Sequence, residues 1–356
     1  MSSHSGLVGD DLAADLDRVA SMIVGAQTIA ISGHTSPDGD SLGSALGLGL
    51  ALRERYPDKS VTCLLADDAP VPRIYRFLPH ADELLSAVRY DASPDLFISV
   101  DCPILDRLAD SSDVARRART VISFDHHPAR HEFAGVSLRC VDAAATAVLI
   151  EVFLYAADMT ISSEVATCLL CGIVTDTGRF QYQNANSAAF FSASRLVACG
   201  AQPALIALEV YQSQRIEYLR LESLVMGRIK TVAGGKVAYS YAREVDLRRC
   251  GVSADECDGL VDVVRSVNGV EVCLFLRELD GDRGIRGNLR SKADIDVSGV
   301  ADAFGGGGHA AAAGFTYHGS IKAGLSEILP LLLELVGADV SEMPASLRSG
   351  VSAKSR

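Results

Sequence analysis

Three apolar runs in this chain end in Asp or His, residue types that can ligate metals. Ile29 to Ile31 leads into S-G-H-T-S-P-D-G-D-S, Leu96 to Val100 into D-C-P, and Val121 to Phe124 into the triplet Asp125, His126, His127. In the first, Pro37 and Gly39 favour an irregular turn that can aim His34, Asp38 and Asp40 at one point. A further carboxylate, Asp176, closes the apolar stretch G-I-V-T-D. Oxygen-rich sites with some imidazole suit manganese or magnesium better than softer metals. Asp38, Asp40, Asp101 and Asp176 together bring a charge of about -4 into a partly dry cleft, and two divalent ions would neutralise it. Taken singly, P-D-G-D is also an ordinary surface turn and each Asp or His an ordinary cap. Their recurrence at several strand ends is what points to chemistry.

The second half contributes a different signal. Gly305 to Gly308 are four consecutive glycines, followed by His309. Backbone N–H groups without Cβ atoms can wrap a phosphate, and His309 can add a hydrogen bond or a charge. A flexible linker is the plain alternative. L-R-S-K, with Arg290, Ser291 and Lys292, lies nearby and offers phosphate-pairing groups at a strand end.

These residues need a scaffold that brings strand ends to one edge. Strands are expected at Thr28 to Ser32, Ser60 to Leu65, Asp95 to Val100, Thr120 to Phe124 and near Val136 to Val141. Helical patterns alternate with them, including Ser41 to Tyr56, whose small residues Gly43, Ser44, Gly47 and Gly49 allow close approach to a neighbour. That alternation indicates a parallel α/β domain, in which ligands bind at the carboxyl ends of the strands. Residues 187 to 230 read as a helical connector. A second α/β domain follows, with strands at Val237 to Ala242, Val270 to Leu276 and Gly284 to Leu289, a helix at Asp255 to Ser266 and a closing helix at Ser320 to Val336.

Composition narrows the function. At 356 residues the chain is long enough for two domains, and its 48% hydrophobic and 22% charged content is that of a globular protein. No apolar stretch reaches the ~18 residues of a membrane span. The opening M-S-S-H-S-G-L-V-G-D has neither a basic nor an apolar leader region, so a cytoplasmic, non-membrane protein is expected. The net charge of -12 argues against tracking of long duplex nucleic acid, which needs a basic face. Nine cysteines lie among apolar neighbours, and Cys168 and Cys171 have no second pair to complete a zinc site, so core packing is the expectation.

In their order, H-T-S-P-D-G-D-S, V-D-C-P, D-H-H, T-D-T-G, L-R-S-K and G-G-G-G-H resemble the motifs of the DHH/DHHA1 phosphoesterases. Within that family the resemblance is to the bacterial nanoRNase/pAp phosphatase group, the oligoribonucleases and c-di-AMP/pApA phosphodiesterases. It implies an N-terminal parallel-sheet DHH domain over 15–190, a helical connector over 191–230 and a smaller C-terminal α/β DHHA1 domain over 231–338, between disordered ends at 1–14 and 339–356. It implies two divalent ions, manganese first and magnesium or cobalt as alternatives. His34, Asp38 and Asp101 would hold one ion and Asp40, Asp101, His126 and Asp176 the other, with Asp101 bridging. Asp125 would orient a ligating imidazole, and His127 would face the substrate phosphate or leaving group. Arg290, Ser291, the glycines Gly306, Gly307 and Gly308, and His309 would grip substrate phosphates.

The activity so implied is hydrolysis of short oligoribonucleotides, pAp, or linear or cyclic dinucleotides to mononucleotides by a metal-activated hydroxide, in a homodimer. Two departures bear on substrate choice. Ala129 and Arg130 stand where the family usually has Ser and Asn after D-H-H-x, and Ala310 to Ala313 follow G-G-G-G-H where a basic residue is frequent. A manganese inorganic pyrophosphatase, a RecJ-like single-strand DNA exonuclease and a non-catalytic nucleotide-binding regulator are the competing readings.

Overall fold

A computed structural model describes residues 10–128, 132–281, 283–292 and 294–348. Ala129 and Arg130 lie outside them. The chain divides into two compact units, the first ending at Ser213 and the second beginning at Gln214.

The first unit opens with helix α1 (Asp10–Gly25) and alternates thereafter. It contains β1 (Thr28–Ser32), α2 (Gly39–Arg55), β2 (Ser60–Leu65), β3 (Leu85–Ser86), β4 (Leu96–Val100), α3 (Ser111–Arg117), β5 (Thr120–Asp125) and β6 (Val136–Arg139). Helices α4 (Thr146–Ala156), α5 (Ser163–Asp176), α6 (Ser187–Ala198) and α7 (Pro203–Ala207) complete it. The six strands form one all-parallel sheet in the order β3-β2-β1-β4-β5-β6. Strand order reverses between β1 and β4, the switch point at which open α/β sheets bind ligands.

Alternation along the strands divides the core. Ile29, Ile31, Leu96, Ile98 and Val100 pack with α2, α4 and α5, while Ala30 and Phe97 face the opposite layer with Leu108 and Val114. Helices α2 and α5 cross in close contact at their glycines. A Cβ on Gly43 would come within 2.3 Å of the Cys168 carbonyl oxygen, and one on Gly172 within 2.7 Å of Asp40 Oδ1. Cys168 and Cys171 are fully buried in α5, and all nine cysteines are free thiols.

The second unit begins with α8 (Ile216–Gly227), followed by β7 (Lys230–Val232), β8 (Val237–Ala242), α9 (Glu244–Cys250), α10 (Leu260–Arg265), β9 (Val272–Glu278) and β10 (Ile285–Ser291). Then come α11 (Ser298–Asp302), β11 (Gly307–His309), β12 (Ala312–Tyr317), α12 (Ile321–Leu335) and α13 (Ala345–Arg348). Its mixed sheet has the order β11-β12-β10-β9-β8-β7, parallel only between β8 and β9. One face packs on α12, the other on α8 and α10.

Three sequence expectations change here. Helix α8, placed in a connector by its position, belongs to the second unit because Tyr218, Leu221 and Val225 pack against Ala238, Cys273 and Phe275. Residues 339–348, expected to be disordered, form a turn and α13, because Met343 (1% exposed) and Leu347 anchor in the core beneath α12. Similarly, the helical segment from Asp10 begins inside the N-terminal stretch expected to be disordered.

Candidate active site

Each candidate ligand of the first unit sits where a strand or helix ends. His34 follows β1 and Asp101 follows β4, adjacent strands at the switch point. Asp101 adopts a left-handed backbone (φ 54°), uncommon for a residue other than glycine, and its N–H donates to the Phe124 carbonyl at 2.9 Å. The bend turns the carboxylate between two imidazoles. Oδ2 lies 3.5 Å from His34 Nε2 and Oδ1 3.4 Å from His126 Nε2.

Asp38 and Asp40 flank the start of α2. Asp38 is the helix cap, its Oδ1 accepting the N–H groups of Asp40 and Ser41 at 3.1 and 3.0 Å, while its other oxygen faces His34 Nε2 at 3.7 Å. Asp40 is fully buried and caps a different helix. Its carboxylate accepts the N–H groups of Thr146 (2.6 Å) and Ala147 (2.9 Å) at the start of α4, where Ala145 has no side chain to do so. Asp176, the last residue of α5, approaches His126 Nε2 at 3.3 Å, and Asp40 approaches the same atom at 3.9 Å.

Two groups of three follow from these positions: His34, Asp38 and Asp101, and Asp40, His126 and Asp176. Within each, one ligand atom per residue lies within 4.8 Å of the others. Carboxylate oxygens with one imidazole apiece suit hard or borderline divalent ions, and Asp101 presents one oxygen toward each group. The donor set therefore fits the two ions that the motifs imply.

Ring orientation is set by neighbours. His126 Nδ1 lies 3.1 Å from the Ala143 carbonyl, which leaves Nε2 facing the carboxylates. Asp125, expected to orient a ligating imidazole, instead pairs with His127, Oδ1 to Nδ1 at 2.9 Å, and accepts its backbone N–H at 3.2 Å. Arg139, beside Asp125 at 3.6 Å, supports that carboxylate from behind. His127 Nδ1 is also 3.6 Å from Asp101 Oδ1.

Electrostatics follow from burying four carboxylates together. Burial pushes Asp176 up to about 7, with the Asp101 charge acting in the same sense. Burial and the charges of Asp101 and Asp176 hold Asp40 well above the usual range. For Asp101, burial acts upward but the His126 and His34 imidazoles outweigh it and hold the carboxyl well below that range. His34 moves up to about 10, the opposing effect of burial being overcome by Asp101 and Asp38.

Several contributors escape sequence reading. Thr146 Oγ1 donates to Asp101 Oδ1 at 3.2 Å, and Asn184 donates to the Asp176 and Ala144 carbonyls at 3.0 Å each. Neither lies in a motif. Arg107 Nη2 stands 3.1 Å from His34 Nδ1, and the Arg107 carbonyl accepts the Thr35 N–H at 2.8 Å. A basic residue six positions after Asp101, in a loop leaving the same sheet edge, was the available signal.

In the second unit, Arg290 of β10, Ala312 of β12 and His309 of β11 form one cross-strand row, so Arg290 and His309 share a face. Ser291 alternates to the other face, where it is buried, and its N–H donates to the Ala311 carbonyl at 3.0 Å. Of the glycine run, expected as a phosphate nest, Gly307 and Gly308 pair in the edge strand β11. A Cβ on Gly306 would meet the Gly314 carbonyl oxygen at 2.2 Å, and one on Gly308 the Ala312 carbonyl oxygen at 2.4 Å, so close packing on β12 demands these glycines.

Comparison with known proteins agrees with both halves. Residues 28–173 match the DHH family N-terminal domain and residues 234–339 the DHHA1 domain. The chain belongs to the DHH/DHHA1 phosphoesterase family. It is 29% identical to the bifunctional oligoribonuclease and PAP phosphatase NrnA of Thermus thermophilus, over 82% of this chain and 84% of that protein. It is 25% identical to the cyclic-di-AMP phosphodiesterase PdeA of Listeria monocytogenes over 81% of this chain, but that match spans only 44% of PdeA. The crystal structure of an exopolyphosphatase-related protein from Bacteroides fragilis superposes with a TM-score of 0.79 at 25% identity, covering 91% of this chain and 96% of that one. Between them the family models leave α6, α7, α8 and β7 unmatched, as they do α1 and α13 at the two ends.

Proposed function

We propose that this protein hydrolyses short phosphate esters of nucleotides: oligoribonucleotides of a few residues, pAp, and linear or cyclic dinucleotides such as pApA. The observation that carries the reading is the convergence of His34, Asp38, Asp40, Asp101, His126 and Asp176 at the switch point of a parallel sheet. The NrnA relative, matched over most of both chains, supports the substrate class.

In this reading His34, Asp38 and Asp101 hold one divalent ion and Asp40, Asp101, His126 and Asp176 the other, with manganese the first choice. Bound there, the ions would supply Lewis acidity and an activated water for in-line attack on phosphorus. The chain's own residues do the rest. Asp101 is held between the two imidazoles by its left-handed bend, so both ion positions share one anchor. His127, fixed by Asp125, presents its ring beside Asp101 for a hydrogen bond to the phosphate or a proton for the leaving oxygen. On the second unit, Arg290 and His309 offer paired donors to a terminal phosphate.

The deciding experiment compares pAp, pApA, c-di-AMP, a five-residue RNA and pyrophosphate, each with Mn2+ and with EDTA, products being resolved by chromatography. Mn2+-dependent release of mononucleotides is expected. Cleavage of pyrophosphate alone would replace this reading with a pyrophosphatase, and tight dinucleotide binding without turnover would replace it with a regulatory nucleotide-binding protein.

A further inference from the structure

The second sheet carries two arginines directly opposite each other. Arg277 of β9 and Arg286 of β10 are in register, and Ala242 of β8 and Thr316 of β12 extend the same row. Like charges placed opposite on one face of a sheet repel. Arg277 is only 9% exposed, and among the described residues its guanidinium has no carboxylate within 4 Å and no hydrogen-bond acceptor. None of its nitrogens is among the buried atoms left without a partner, so its stem is buried while its head group reaches solvent.

Arg286 has a prepared seat. A Cβ on Gly314 would fall 2.7 Å from Arg286 Nη2 and 3.2 Å from Cζ, so the guanidinium end of Arg286 rests against β12 in space that the glycine leaves open. Gly314 pairs with Asn288 on one side and Gly307 on the other, so the head of Arg286 reaches the row next to that of Arg290 and His309. Arg290 itself is four residues further along the same strand, about 13 Å away and on the same face.

We propose that Arg277 and Arg286, seated by Gly314, form a second oxyanion subsite that takes a backbone phosphate of a substrate longer than one nucleotide. It is separate from the terminal-phosphate contacts at Arg290 and His309. Three arginines on one face, in two steps along β10, give the unit a preference for chains carrying more than one phosphate. The assignment of the anion to a substrate rests on the nucleotide reading above, but the subsite itself rests on the arginine geometry.

The test uses the full chain in EDTA, so that binding is read without turnover. Fluorescence anisotropy of labelled 5'-phosphorylated RNAs of three and five residues is compared with calorimetric binding of AMP, for the wild type and for Arg277→Met, Arg286→Met, Gly314→Ala and Arg290→Met. The first three substitutions should weaken binding of both RNAs by about tenfold each and leave AMP unchanged, whereas Arg290→Met should weaken all three ligands. Gly314→Ala matters because it keeps both arginines and removes only the seat. Equal loss of AMP and RNA in the Arg277 and Arg286 variants, or no loss in any of the three, overturns the proposal. A wild type that binds no RNA contradicts the nucleotide reading instead. In that case inorganic phosphate titrated by calorimetry decides the subsite: a phosphate site lost in Arg277→Met and Gly314→Ala upholds it, and unchanged phosphate binding removes it.

Discussion

Asp40 Oδ2 accepts the backbone N–H of Thr146 at 2.6 Å across 106 residues of sequence. A candidate metal ligand is thereby also the cap of α4. Asp176, by contrast, caps no helix and is pushed up to about 7 by burial. Replacing the two should therefore separate stability from metal binding. Asp40→Ala strands the Thr146 and Ala147 N–H groups, and a loss of about 1–3 kcal/mol is expected in urea denaturation of the metal-free protein. Asp176→Asn should leave metal-free stability unchanged or raise it while lowering Mn2+ affinity by calorimetry. Equal destabilisation by both would show that the capping role has been misread.

Asp101 makes a second demand, since its carboxylate and its backbone are both special. Asparagine tolerates the left-handed region far better than alanine. Asp101→Asn should therefore retain close to wild-type thermal stability and Asp101→Ala should lose about 1–2 kcal/mol more, while both bind little manganese and lose turnover. Metal content by elemental analysis checks the binding half. Near-normal turnover in either variant would sink the shared-anchor assignment.

The close crossing of α2 and α5 brings Asp40 and Asp176 together without contributing a ligand. Gly43→Ala would drive a methyl group into the Cys168 carbonyl, and about 1–3 kcal/mol of destabilisation is expected from the forced separation. Because Asp40 lies in the first turn of α2 and Asp176 ends α5, Mn2+ affinity should fall as well. An unaltered affinity in a destabilised Gly43→Ala protein would mean that the helix crossing does not set ligand spacing.

Much of this arrangement was legible in the chain. Strands β1, β4 and β5 announce themselves as short apolar runs, and their ends deliver His34, Asp101 and His126 directly. The two-residue β3 is too short for any periodicity to reveal it, and β11 hides inside glycines that suggest a loop. Fold context also changed the meaning of residues correctly singled out. Gly306 and Gly308 of the glycine run are demanded by packing on β12, and Asp125 holds His127 while the Ala143 carbonyl fixes His126. Thr146, Asn184 and the pair Arg277 and Arg286 depend on register or on contacts between distant segments, which spacing along one segment does not encode.

A final prediction concerns pH and the second unit. Asp246 of α9, 5% exposed, accepts bonds from Arg228 at 2.6 and 3.0 Å and from the Arg243 backbone at 2.8 Å, joining α8 to α9. The Arg228 guanidinium, aided by Arg243, outweighs burial and holds its carboxyl well below the usual range. A carboxyl with a depressed folded-state pKa stabilises the fold in full above its unfolded value, near 4, and loses that contribution as pH falls toward the folded value. At neutral pH, Asp246→Asn should cost about 1.5–3 kcal/mol, the scale of hydrogen bonds to a charged group. The gap between wild type and variant should stay constant from pH 7 to about 5 and shrink progressively below about 4. Urea denaturation of both proteins across that range reads the gap directly, and a difference that widened on acidification would reverse the assigned sign.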